Sequence, residues 1–155
     1  MISRLKTLFR ATGASQKDDH DDAELHLAAA ALLAEEALMD GHVDESELET
    51  IAALLMDQFT ITVEEAAELV AEGCRAAEKS GQLYAFTRVI KDRFSQAERV
   101  RMIEMLWQVA LADGEVHYFE SNMVRRVAGL LYVEDRESGE ARKRVARRME
   151  EIADA

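Results

Sequence analysis

The sequence contains no proline, and only seven of its 155 residues are glycine. Proline ends or kinks a helix because its ring removes an N–H donor and clashes with the preceding turn, so a chain without proline can form long, uninterrupted helices. All-β and low-complexity chains need many more turn residues than this chain has. Hydrophobic residues make up 48% of the chain, which is enough for the core of one domain. These observations predict an all-α domain.

Apolar periodicity and capping patterns divide the chain into seven predicted helices. Apolar side chains recur every three to four residues, the spacing that buries one face of a helix. Three helices begin at a predicted capping box, in which Asp, Thr or Ser is followed three residues later by Glu. These boxes are Asp44 with Glu47, Thr62 with Glu65, and Ser95 with Glu98. The predicted helices cover residues 22–39, 44–57, 62–79, 83–93, 95–110, 117–131 and 134–155.

The first 17 residues differ in charge from the rest of the chain. They carry four basic residues and no acid, which leaves 15 of the 19 basic residues and all 31 acidic residues for the remainder. Apolar residues in 1–10 alternate with basic ones at helical spacing, which predicts a short amphipathic helix followed by a linker to residue 17. An isolated helix this short is marginal in water, which favours folding back over contact with a membrane surface. We therefore divide the chain into a segment 1–17 and a helical domain 18–155.

The charge and the hydropathy of the chain exclude several classes of function. A formal net charge of −12 argues against nucleic-acid binding, which needs a contiguous basic face. The basic cluster at 142–148 lies in a predicted helix without aromatic residues for base stacking. No stretch approaches the roughly 18 apolar residues of a membrane span, and the chain start lacks the apolar core of a signal peptide. We expect a cytoplasmic protein, attached to a membrane at most peripherally through residues 1–10.

One internal repeat stands out in the sequence. Residues 37–47 and 110–120 are identical at six of eleven aligned positions, and both contain the pattern D-G-x-V-x-x-x-E between two predicted helices. This repeat predicts two helix–loop–helix units related by a pseudo-two-fold axis. The pattern is similar to the second half of an EF-hand loop, but the positions of the first two ligands, Glu36 and Leu38 in the first copy, fall inside a helix. A standard EF-hand is therefore excluded.

Two interpretations of the repeated loop remain open. In the structural one, Gly41 and Gly114 end helices in the left-handed conformation and Asp44 caps the next helix. This leaves Asp40 and Asp113 unexplained, because a carboxylate at a helix C-terminus is unfavourable by about 0.3–1 kcal/mol. Turn amides, Arg125 or Arg126, or a bound cation would offset that cost. In the functional interpretation, acids and an imidazole on two facing loops bind a divalent cation. The candidate ligands are Asp40, Asp44, Glu47, Asp113, His117 and Glu120.

The repeated loops resemble the TerB-like domains associated with bacterial tellurite resistance. The resemblance rests on the two A-L-x-D-G-x-V-x-x-x-E units, the run 106–114 and the run 125–131, and it covers about residues 22–153. It implies a compact all-α fold in a bacterial protein of the cytoplasm or the membrane vicinity, with an acidic cluster for metal or partner binding. That role carries over to Asp40, Asp44, Glu47, Asp113 and Glu120. His117 replaces the Asp44 of the first copy, so the two halves are chemically unequal.

Two classes of function follow from these patterns. The favoured hypothesis is a non-enzymatic binding or scaffold module, associated with tellurite or another stress, whose acidic loop face binds a divalent cation, a basic protein partner, or both. The alternative is a metal-dependent hydrolase that uses the same carboxylates. The sequence contains no nucleophile elbow, phosphate loop or H-E-x-x-H helix, which favours the binding module.

Overall fold

The computed structural model describes residues 16–41, 43–79, 83–112 and 118–154, without the side chains of residues 16–21 and of Asp40. In these ranges the regular structure consists of seven α-helices and one 3-10 turn, with no strand. The all-α prediction is therefore confirmed. The helices are α1 (Gln16–Ala37), α2 (Glu45–Gln58), α3 (Val63–Glu78), α4 (Leu83–Arg93), α5 (Gln96–Ala110), α6 (Tyr118–Leu130) and α7 (Asp135–Asp154), and the 3-10 turn is Leu38–Asp40.

The three predicted capping boxes form at the starts of α2, α3 and α5. In each box the N-cap side chain accepts a hydrogen bond from the backbone N–H of the Glu three residues later, and that Glu carboxylate accepts one from the N-cap N–H. The amide of Glu47, for example, donates to Asp44 Oδ1 over 2.8 Å. Because these local bonds satisfy amides that a helix start would leave unpaired, the three helices begin where the sequence predicts.

The start of α1 differs from the prediction. The helix begins at Gln16 rather than Asp22, so residues 16 and 17 of the predicted linker are helical. Four aspartates lie between positions 18 and 22, and acids are favourable near a helix N-terminus, where the dipole is positive. The amphipathic helix predicted for residues 1–10 lies outside the described residues. None of the helices in the described ranges has both the length and the apolar character of a membrane span.

Helix α1 forms the centre of the domain. It packs against α2, α3, α4, α5 and α6, and every residue from Ala28 to Ala34 is at most 1% exposed. A helix that is apolar on all sides is typical of such a buried position. Its alanines allow the neighbouring helices to approach closely. At Gly73 of α3, an added Cβ would lie only 2.8 Å from the carbonyl carbon of Ala30.

A second set of contacts joins α5 to α7. Trp107 is 2% exposed and belongs to the core, and its indole N–H donates to the carbonyl oxygen and the hydroxyl of Ser138 over 3.1 and 3.2 Å. Glu104 of α5 accepts hydrogen bonds from Arg144 and Arg148 over 2.9 and 3.1 Å. Part of the basic cluster on α7 therefore pairs with an acid of the same domain.

We expect Gly73→Ala to lower the free energy of unfolding by about 1–3 kcal/mol, because the added methyl group must push α3 away from α1. Gly129→Ala on α6 is the matched control, since a Cβ at Gly129 meets no atom within 4 Å. That substitution should stabilise the protein by up to about 1 kcal/mol through helix propensity alone. Urea denaturation of both variants checks the difference, and equal effects would contradict the close contact of α1 with α3.

Candidate functional site at the repeated loops

The first copy of the repeated loop follows the end of α1. Gly41 has a φ of +96°, and its N–H donates to the carbonyl oxygen of Leu38 over 3.0 Å, so it ends the 3-10 turn in the left-handed conformation. Val43 is half-buried and packs against the core. Asp44 is the N-cap of α2. The structural interpretation therefore accounts for these three residues of the first loop.

The six predicted ligands differ in their surroundings. Asp44 is exposed, and its Oδ1 accepts hydrogen bonds from the Glu47 amide and the Ser46 hydroxyl, both over 2.8 Å. Glu47 is buried in the first turn of α2, and its Oε1 accepts the Asp44 N–H over 3.3 Å. Glu120 holds the equivalent place in the second copy and is buried in the first turn of α6. The side chain of Asp40 and the residues Asp113 and His117 lie outside the described part of the chain.

The structure adds Glu36, which the sequence pattern indicates only as an EF-hand position. Glu36 lies in the last turn of α1, is 0% exposed, and has no hydrogen-bond partner for either carboxylate oxygen among the described residues. Burial is the main cause, and the negative charge of Glu120 the second, of a pKa of Glu36 that is raised to about 9. Two buried carboxyl groups that repel each other in this way are unfavourable when both are ionised.

The contacts around Glu36 bring the two copies of the repeat together. Helix α6 packs against both α1 and the 3-10 turn, and the charge of Glu120 acts on Glu36. The start of α6, directly after the second loop, therefore lies beside the end of α1, directly before the first loop. Glu36 and Glu120 are the two acids of this junction whose side chains the structure describes as buried.

The two arginines predicted as partners of the loop acids have different neighbours. Arg126 acts electrostatically on Glu35, where burial raises the pKa of the carboxyl and the arginine lowers it. The guanidinium carbon of Arg126 also lies 6.0 Å from the ring centre of Tyr84. Arg125 lines a cavity together with Trp107. Within the described ranges, Arg126 therefore interacts with Glu35 and Tyr84, and Arg125 faces the cavity.

The donor atoms at the junction suit a hard cation. Carboxylate oxygens are the ligands that Ca²⁺, Mg²⁺ and Mn²⁺ prefer. Within the described ranges, no group of three or more His, Cys, Asp and Glu side chains is close enough to hold a metal ion. Glu36 and Glu120 alone are two carboxyl groups, so a complete site requires ligands from Asp40 or from the loop 113–117.

A comparison with known protein families identifies the family of this chain. A family model described as "Tellurite resistance protein TerB" matches residues 26–143, which is more than half of the chain. The chain belongs to the TerB family. No curated protein and no solved structure matches it. The TerB match spans both copies of the repeated loop, so Glu36 and all six predicted ligands lie within the TerB domain of this chain.

The raised pKa of Glu36 makes the stability of this TerB domain depend on pH. The folded chain keeps the Glu36 proton up to about pH 9, whereas the unfolded chain releases it near the ordinary value of 4.5. Between these values the folded state binds more protons than the unfolded state, so the contribution of Glu36 to the free energy of unfolding falls as the pH rises. That contribution is fully present below 4.5 and is lost by about pH 9.

Glu36→Gln should therefore be more stable than the unchanged protein at about pH 8, by an amount on the order of 1–4 kcal/mol, and nearly equal to it at about pH 5. Urea denaturation across this pH range, in the presence of a chelator, measures the difference. Glu49→Gln, at an exposed position on α2, serves as the control and should follow the unchanged protein. A constant difference between Glu36→Gln and the unchanged protein at every pH would contradict the raised pKa of Glu36.

Proposed function

We propose that this chain is a non-enzymatic binding module of the TerB family whose acidic loop face binds one divalent cation. The observation that supports this proposal is the fully buried carboxyl group of Glu36 beside a second buried acid, Glu120, at the junction of the two repeats. The proposed ligands are Glu36 and Glu120 from the helices and Asp40, Asp113 and His117 from the loops. We assign Asp44 and Glu47 to the capping box that holds the start of α2.

The electrostatics of the junction support a cation in preference to an anion or a neutral ligand. A buried carboxylate is strongly unfavourable unless a proton or a cation neutralises it. The site also lies at the C-terminal end of α1, where the helix dipole and the last carbonyl oxygens favour positive charge. A cation bound there would neutralise Glu36 and would offset the unfavourable position of Asp40. It would thereby join the two helix–loop–helix units.

The same face carries features that suit a protein partner. Tyr118 and Phe119 directly precede Glu120, are 76% and 64% exposed, and pack edge to face with ring centres 6.2 Å apart. Large exposed aromatic residues are typical of the centre of protein interfaces. With a net charge of −12, the chain favours a basic partner. The name of the matching family makes tellurite the first stress to examine. Membrane contact through residues 1–10 stays a prediction.

We expect calorimetric titration of the chelator-treated full chain to detect binding of at least one of Ca²⁺, Mg²⁺, Mn²⁺ and Zn²⁺. Glu36→Gln should weaken this binding roughly tenfold or more, because it removes an oxygen ligand with its charge. Glu49→Gln, the matched exposed control, should bind as the unchanged protein does. The affinity should also rise with pH, because the cation must displace the Glu36 proton.

Two results would contradict the proposed cation site. One is the absence of both heat and thermal stabilisation with all four cations. The other is an equal loss of affinity in Glu36→Gln and Glu49→Gln, which would indicate attraction to the acidic surface as a whole. In either case the exposed aromatic residues Tyr118 and Phe119 would remain as the basis for a binding module without a metal.

A further inference from the structure

A cavity of about 350 Å³ lies where α5, α6 and α7 meet, and none of its described lining residues is a proposed cation ligand. Its volume falls within the range of small-molecule sites, roughly 300–1,000 Å³. Each of the three helices contributes side chains to its wall. The described lining residues are Trp107, Arg125, Asp135, Ser138, Gly139 and Arg142.

Two arginines that have no acidic partner among the described residues line this cavity. On α7, Arg136 pairs with Glu140, while Arg144 and Arg148 pair with Glu104. Arg142 on the same helix, and Arg125 on α6, form no ion pair with any acid in the described part of the chain. Guanidinium groups have five N–H donors in a planar fork that matches the oxygen atoms of phosphate. Two such groups on one cavity are therefore available to an anion.

One of these arginines, Arg142, lies against an aromatic ring in the cavity wall. The guanidinium carbon of Arg142 lies 5.0 Å from the ring centre of Trp107, a distance at which a cation is attracted to the ring face. Trp107 is itself fixed by its two hydrogen bonds to Ser138. Ser138 is 2% exposed, and its hydroxyl oxygen accepts the indole N–H. A hydroxyl group can also donate one hydrogen bond, so the Ser138 O–H is available to a ligand in the cavity. The contact with Trp107 favours one position of the Arg142 side chain before a ligand arrives, which lowers the entropic cost of binding.

The position of the cavity at the beginning of α7 adds a further attraction. Asp135, Ser138 and Gly139 belong to the first five residues of this 20-residue helix, whose dipole is positive at that end. A side chain at Gly139 would meet no atom within 4 Å, so the backbone is open to the cavity there. Asp135 is the one acid among the described lining residues, and it opposes an anion.

We infer that this cavity is a binding site for a small phosphate-type dianion, held between Arg125 and Arg142. The two guanidinium groups and one carboxylate among the described lining residues leave a local excess of positive charge, which favours a dianion over a singly charged carboxylate. Inorganic phosphate and the phosphate group of a small phosphate ester share this chemistry. None of the described residues that line this cavity is a proposed cation ligand, so the test of the anion site can succeed or fail separately from the cation proposal.

The single tryptophan of the chain provides a reporter inside the cavity. In ¹⁵N-labelled full-length protein at about pH 7.5, where phosphate esters are mostly dianionic, the Trp107 indole N–H gives one resonance. We expect this resonance to shift saturably with inorganic phosphate, with glycerol phosphate, or with both, and to shift little with acetate or chloride at equal ionic strength. Which of the two phosphates binds more tightly identifies the source of the ligand.

Three variants test the assignment of the side chains. Arg125→Gln, which leaves the stacked Arg142 and Trp107 in place, should weaken phosphate binding by about fivefold or more, because a charged hydrogen-bond donor is lost. Asp135→Asn should strengthen binding because a repulsive charge is removed. Arg147→Gln is the matched control on α7 and should change nothing. The absence of a saturable shift would overturn the proposal, as would equal weakening in Arg125→Gln and Arg147→Gln. Thermal denaturation confirms that each variant is folded.

Discussion

The enclosure of α1 by five other helices determines most other features of the structure. Its middle turns are buried on every side, so the small side chains from Ala28 onward allow α3 to approach as closely as Gly73 permits. The same enclosure excludes water from the carboxyl group of Glu36 in the last turn of α1. Glu36 is therefore buried as a consequence of the fold, and α6 brings Glu120 to it. A cation at this junction would relieve a cost that the architecture itself creates.

Most of the fold could be predicted because its signals are local. A capping box spans four residues, and Asp44, Thr62 and Ser95 each form the predicted one. Gly41 ends the 3-10 turn after α1 in the left-handed conformation of the structural interpretation, which a residue without a side chain adopts most readily. The predicted start of α1 was wrong by about a turn and a half, because acids near a helix start extend the helix as readily as they precede it.

The candidate site was less predictable than the fold. Apolar periodicity assigns each helix one buried face of apolar side chains, which does not predict a buried acid; Glu36 is buried because other helices surround α1. The apolar residues that precede and follow Glu36 in the sequence were the available signal that this acid is buried. The anion cavity could not be predicted from the sequence either, because Trp107 and Ser138 are 31 positions apart in the sequence. Such pairs depend on how helices cross, which local patterns do not encode.

The proposed function depends on whether the junction of the two repeats, and Glu36 in particular, holds a divalent cation. An anomalous difference map from crystals of the full chain soaked in Mn²⁺ decides this question. We expect a manganese peak in contact with the carboxylate oxygens of Glu36 and Glu120 and with ligands from the loops. Manganese bound only to exposed acids, with the Glu36 carboxyl bonded to protein amides, would contradict the proposed site.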